Sequence, residues 1–159
     1  MPDITLPDGT KIKVKEGTTA YKLAEEISVD LAKAAIAAKI NKRIIDLHQK
    51  IEEDGDFKVL TQRDKESLDV LRHSSSHVLA QAVKKLFPNV RLGIGPAIET
   101  GFYYDFDLEQ NFTPEDLKKI EAEMQKIIKD DRKFERKEIT KPEAKKLFAK
   151  EKYKLELIE

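Results

Sequence analysis

No cysteine occurs among the 159 residues, which excludes disulfides and cysteine-based zinc sites within them and fits a reducing compartment. Net charge is missing too, because thirty basic and thirty acidic residues cancel. Neither part of the chain carries an excess: 10 basic and 11 acidic residues lie up to Thr61, and 20 and 19 beyond it. That excludes a bulk electrostatic magnet for nucleic acid, so RNA contact has to come from a local patch or from protein outside these residues. No apolar run approaches the ~20 residues that a membrane-crossing helix needs. Residues 1–9 lack a charged segment followed by an apolar one and are no signal peptide, so a cytoplasmic protein is the expectation. Internal repeats and low-complexity tracts are absent as well. What is present is 40% hydrophobic and 38% charged residues, the make-up of a soluble chain with one ordinary domain or two small ones.

The first sixty residues read as a compact α+β module. Ile4-Thr5-Leu6 and Lys11-Ile12-Lys13-Val14-Lys15 alternate around Pro7-Asp8-Gly9-Thr10, a hairpin signal in which Pro sets φ and Gly accepts φ > 0. Gly17-Thr18-Thr19 offers an N-cap for a helix with Ala20, Leu23, Ala24 and Ile27 on one face. Strands are expected over 35–41, 43–47 and 57–61, the last after the acidic turn 52–56. Hairpin, helix and short strands in that order are the plan of a ubiquitin-like β-grasp. The polar segment 61–66 marks its boundary.

Beyond it, 66–87 has helical apolar spacing until Pro88-Asn89. On a wheel of ~100° per residue, His77 falls near ~40° from His73, with Ala80 and Lys84 beside them. Leu68, Leu71, Ser75, Val78, Leu79, Ala82 and Leu86 gather on the opposite side, which predicts the buried stripe there. Ser74 or Ser75 could alternatively cap a shorter helix. Strands are expected over 90–96 and 101–107, with Phe102 and Tyr104 on one face and Tyr103 on the other. Gly93-Ile94-Gly95-Pro96 lacks the endings of phosphate loops, so backbone turning is its expected role. Thr113-Pro114-Glu115-Asp116 opens a helix with Leu117, Ile120, Met124, Ile127 and Ile128 as its apolar stripe. A strand over 134–139, a short helix after Thr140-Lys141-Pro142-Glu143 and an alternating strand over 153–158 complete the pattern. A chain stopping on an unpartnered strand suggests truncation.

Three readings of the His73–His77 pair stay open on pattern alone. Histidines at i and i+4 could ligate a metal with Asp105 or Asp107 as third ligand, although Ser74 stands where a metalloprotease has its glutamate. They could be structural. They could form a polar site that orients a substrate or moves protons near neutral pH.

Residues 1–61, with Ile4-Thr5-Leu6-Pro7-Asp8-Gly9 at the front, resemble a TGS domain. Arg72-His73-Ser74-Ser75-Ser76-His77, Ile94-Gly95-Pro96-Ala97-Ile98 and Gly101-Phe102-Tyr103-Tyr104-Asp105 resemble the start of the editing domain of threonyl-tRNA synthetases. A TGS domain alone would not be specific, since Obg-like GTPases and stringent-response enzymes carry one. Alanyl-tRNA editing domains share a histidine pair but lack the TGS module.

The resemblance implies residues 1–61 as TGS domain and 62–159 as the first part of an editing domain. It further implies His73, His77 and Lys154 as catalytic residues and Tyr104 as lining the editing pocket. A Cys-x-x-x-His motif beyond this chain would complete the site. No metal or cofactor is implied for these residues, whereas ATP, Mg and zinc are expected in the absent catalytic domain. The partner is tRNA(Thr), with homodimerisation through absent domains and a monomeric fragment. Rivals are a stand-alone, non-catalytic RNA- or nucleotide-binding regulator of TGS type and a small metallohydrolase.

Overall fold

The computed structural model describes residues 1–132 and 137–158. It divides into two compact units, Met1–Leu71 and Arg72–Glu159.

The first unit opens with β1 (Asp3–Thr5) and β2 (Lys11–Lys13), paired antiparallel with Ile4 opposite Ile12. Gly9 closes the turn at φ 85°, a conformation that costs little only without a Cβ. Next come α1 (Ala20–Ile27), α2 (Val29–Ala34), β3 (Ala35–Ile40), β4 (Arg43–Ile45) and β5 (Gly55–Thr61). Thr19 caps α1 by accepting from Lys22 N at 3.2 Å. Helix α2, for which no sequence signal was read, is only six residues long and is capped by Ser28. The five strands form one sheet in the order β2-β1-β5-β3-β4. β1 and β5 are parallel neighbours at its centre, as a β-grasp requires. Ile4, Leu23, Ala24, Ile40, Ile51 and Phe57 are buried in one core beneath α1.

The unit continues past Thr61 into α3 (Lys65–Leu86) for identifiable reasons. Asp64 accepts from Thr61 N at 2.8 Å and pairs with Lys58. Glu66 pairs with Lys39 of β3 at 3.1 Å. Ser67 is fully buried, and its hydroxyl finds no hydrogen-bond partner among the described residues. Such a group retains most of its desolvation cost, and alanine is the better helix former. Ser67→Ala should therefore raise the stability of this unit by about 1 kcal/mol in denaturant unfolding; a loss of that size would mean that the hydroxyl is bonded in solution.

The second unit holds the rest of α3, then β6 (Arg91–Leu92), β7 (Ala97–Ile98), β8 (Gly101–Phe102), β9 (Phe106–Asp107), α4 (Pro114–Lys129), α5 (Lys141–Leu147) and α6 (Lys152–Ile158). The two expected strands are each broken in two. β6 pairs with β9 and β7 with β8, and Gly93 N donates to Asp105 O at 2.8 Å between them. The result is one long, irregular hairpin. Thr113 and Asp116 make a full capping box for α4. Its buried side is Ile120, Met124 and Ile127, with Glu123 held by Lys85 and Lys126, while Leu117 and Ile128 are exposed.

Two expectations are corrected. Residues 153–158 are helix, not strand: Lys154 N and Leu155 N both donate to Glu151 O at 3.0 Å, closing the first turn. No described strand pairs with these residues to hold an extended chain, and Lys, Leu and Glu favour helix. Helix α3 buries only the later part of the stripe that the wheel predicted, with Ala82 buried and Leu79 and Leu86 packed against the same core. Leu68 and Leu71 are 47% and 44% exposed, whereas Ser76, Ala80 and Val83, adjacent to the histidines, are buried with Ala82. Residues 134–136 of the strand expected over 134–139 lie outside the described residues, and 137–139 carry no regular structure. Among the described residues no helix is long and apolar enough to cross a membrane.

Candidate functional site

Because α3 begins at Lys65, the three serines lie within the helix and cap nothing. Ser76 is wholly buried, and its hydroxyl lies 2.8 Å from His73 O and 2.9 Å from Gly95 O, sharing one hydrogen between two carbonyls. That bond ties the histidine-bearing turn to the hairpin. His73 and His77, one helical turn apart, bring their Nε2 atoms to 3.0 Å, with ring centroids 4.6 Å apart and planes near perpendicular. At that distance one ring donates and the other accepts, so a single proton lies between the two Nε2 atoms.

The charge state follows from the surroundings. Removal of water from the His77 ring is the largest of three influences that push its pKa below the ordinary histidine value; His73 and the cation of Lys154 act in the same direction. His77 is thereby a neutral base at pH 7. Lys154, on α6, lies with its Nζ 4.8 Å from the centre of the Phe148 ring, a cation–π contact.

Tyr104 is half-buried, stacked on Phe106 at 5.0 Å, and its ring lies directly against Gly95. Burial is the main reason its hydroxyl stays protonated above the ordinary tyrosine range, with the nearby Glu151 carboxylate second. Gly95 is therefore required by close approach of a side chain and not by backbone turning. A Cβ there would overlap the Tyr104 ring. Gly95→Ala should cost about 1–3 kcal/mol through overpacking, lowering the melting temperature of the second unit and displacing Tyr104. An unchanged melting curve would mean that the ring does not rest on this glycine.

His73 and His77 are thus in contact, the Lys154 cation acts on His77 electrostatically from α6, and Tyr104 is tied to the histidine turn through Gly95 and Ser76. Ser76 and Glu151 were not singled out from the sequence: their ties to Gly95 and Lys84 span 19 or more residues. A cleft of about 520 Å³ between β9 and α6, lined by Phe106, Asp107, Tyr153 and Leu157, holds none of the four. The metal alternative gains no third ligand. Asp107 accepts from the Tyr153 hydroxyl at 2.9 Å. Among the described residues no three acidic or imidazole side chains are grouped to hold an ion.

Comparison with known proteins adds a family context. Residues 2–61 match the family model of the TGS domain, in agreement with the β-grasp sheet. The whole chain is similar to threonine–tRNA ligases. It is 55% identical over 159 residues to that of Caldanaerobacter subterraneus subsp. tengcongensis, covering 98% of this chain and 24% of the relative. The ligase of Geobacillus sp. strain WCH70 is 51% identical over 157 residues, with the same coverage of 98% and 24%. That of Staphylococcus aureus strain Newman is 45% identical over 157 residues, covering 99% of this chain and 24% of the relative. The chain spans about a quarter of the length of the curated relatives it matches.

Proposed function

We infer that these residues are the amino-terminal region of a threonine–tRNA ligase, and that the unit Arg72–Glu159 forms one wall of a site that hydrolyses seryl-tRNA(Thr) made in error. The observation that carries this is the His73–His77 imidazole pair, acted on by the Lys154 cation, in a chain similar over its whole length to threonine–tRNA ligases. The parent activity is ATP-dependent attachment of threonine to tRNA(Thr). Residues for ATP, magnesium, zinc and the anticodon lie outside this chain.

A threonine site needs such a companion. Serine differs by one methyl group, worth about 1–3 kcal/mol, which binding alone turns into only ~10–200-fold discrimination. Hydrolysis of the wrong ester supplies the rest. A neutral His77 accepts the proton of an attacking water and later returns it to the ribose oxygen. His73 holds that imidazole in one tautomer and contacts the terminal adenosine. Lys154 supplies positive charge where the ester carbonyl becomes an oxyanion. Tyr104, protonated at neutral pH, offers a hydroxyl donor to the seryl group or the ribose.

The test is substrate choice. A chain lengthened to the span of its relatives is given seryl-tRNA(Thr) and threonyl-tRNA(Thr) in parallel. Hydrolysis of the seryl ester at least ~100-fold faster is expected. Equal rates would leave a non-selective esterase, and no hydrolysis with intact tRNA binding would favour a non-catalytic RNA-binding module.

A further inference from the structure

The catalytic assignment to Lys154 leaves open what fixes α6, a seven-residue helix with no buried residue of its own. Two contacts meet at Glu151, the residue before it. Lys84 lies on the same face of α3 as His73 and His77, and its Nζ donates to Glu151 at 3.1 Å and to Val90 O at 3.0 Å. The Glu151 carbonyl in turn accepts the backbone N–H of Lys154 at 3.0 Å. One residue therefore grips the histidine helix with its side chain and starts the lysine helix with its main chain. Lys84 is 40% exposed and Glu151 22%, so water is largely excluded from the acceptor end of the pair.

We propose that Glu151 is the positioning residue of this site, with Lys84 as its anchor: the ion pair sets the register of α6 on α3 and so fixes where the Lys154 ammonium stands relative to the histidine pair. Glu151 need not touch substrate, and its influence passes through Lys154. The role assigned to Lys154 rests on the hydrolytic function inferred above, but the register does not, so the two are tested separately.

The experiment is an NMR titration of the imidazole protons of His77 in this chain. Lys154→Met should raise the His77 pKa toward its ordinary value, because a neighbouring cation is gone. Glu151→Gln should also raise it, since Lys154 is no longer held in place. A direct charge effect would do the opposite: removing a carboxylate withdraws support from the imidazolium and lowers the pKa. The sign therefore separates positioning from simple proximity. Lys84→Arg, which keeps both the cation and the pairing, should keep the wild-type value. Adding Glu151→Gln to Lys154→Met should give no further rise. A fall or no change in Glu151→Gln, with Lys154→Met raising the pKa, would overturn the positioning role while leaving the editing function standing. No change in Lys154→Met would overturn the placement of the lysine itself. Folding of each variant is checked by its amide spectrum. Should Glu151→Gln lose it, Glu151→Asp decides the matter, since it keeps the charge but shortens its reach. It should raise the pKa under positioning and leave it unchanged under simple proximity.

Discussion

Replacing His77 by alanine, in a chain as long as the relatives, should lower the rate of seryl-tRNA(Thr) hydrolysis by about 10²–10⁴-fold, the usual contribution of one positioned acid–base group. Aminoacylation with threonine should be unaffected. His77 is singled out over His73 by its surroundings, since desolvation, His73 and Lys154 together depress its pKa. A base so tuned stays unprotonated as the pH falls through the ordinary histidine range near 6.5. The acid limb of the rate profile should accordingly lie below that value in the wild type. It should move up toward it in Lys154→Met, where the depressing cation is lost. His73→Ala should be nearly as damaging, because it removes the nitrogen 3.0 Å away that fixes the tautomer of His77. Both double and single variants should then be similarly slow, as expected for residues that act as a unit. If His77→Ala kept more than a third of the wild-type rate, the imidazole pair would not be the proton-transfer centre.

Phe57→Ala should cost the first unit about 3–5 kcal/mol, the range for deleting a buried ring and leaving a cavity. Phe57 is 1% exposed and is among the largest fully buried side chains. It sits on β5, opposite Ile40 of β3, and joins the core that also holds Ile4, Leu23 and Ile51. A unit of this size has only some 5–10 kcal/mol of stability to lose, so a substantial unfolded population is expected at 37 °C. Denaturant unfolding followed by circular dichroism measures the loss. A change below 1 kcal/mol would mean that the ring does not anchor the sheet. The charged pairs at the same unit's surface, Arg43–Glu53 among them, should contribute far less, because exposed ion pairs are screened.

Legibility of the fold followed the range of the interaction concerned. The hairpin around Gly9, the Thr19 cap of α1 and the Thr113–Asp116 capping box are set within four residues, and each was readable in the sequence. Strands β3 and β5, buried apolar runs, were readable for the same reason. Helix α2 was not, because six residues after Ser28 are too few to show a period. Helix α6 was mistaken for a strand because a six-residue run that alternates also places Tyr153 and Leu157 on one helical face. Tertiary contacts then decide, and here they are the Glu151 turn and the Tyr153–Asp107 bond.

The site was legible in part. The spacing of His73 and His77 places them one turn apart on any helix, so their mutual contact follows from local geometry. Which face of α3 is buried does not. Leu68 and Leu71 suggested one side, while the small residues Ser76 and Ala80 admit the hairpin on the other. Small residues bury where a neighbour must come close, and hydrophobicity alone does not register that. The long-range ties Ser76–Gly95 and Lys84–Glu151 had no sequence signature at all.

The most direct measurement is a length series. Pre-charged seryl-tRNA(Thr) is incubated with this chain, with a chain lengthened to the span of its relatives, and with each carrying His73→Ala. One wall of a hydrolytic site should give no hydrolysis from the short chain, hydrolysis from the extended one, and none from the extended His73→Ala variant. Hydrolysis by the short chain that disappears with His73→Ala would show a complete site within these residues and contradict the half-site. No hydrolysis by the extended chain would contradict the editing function itself.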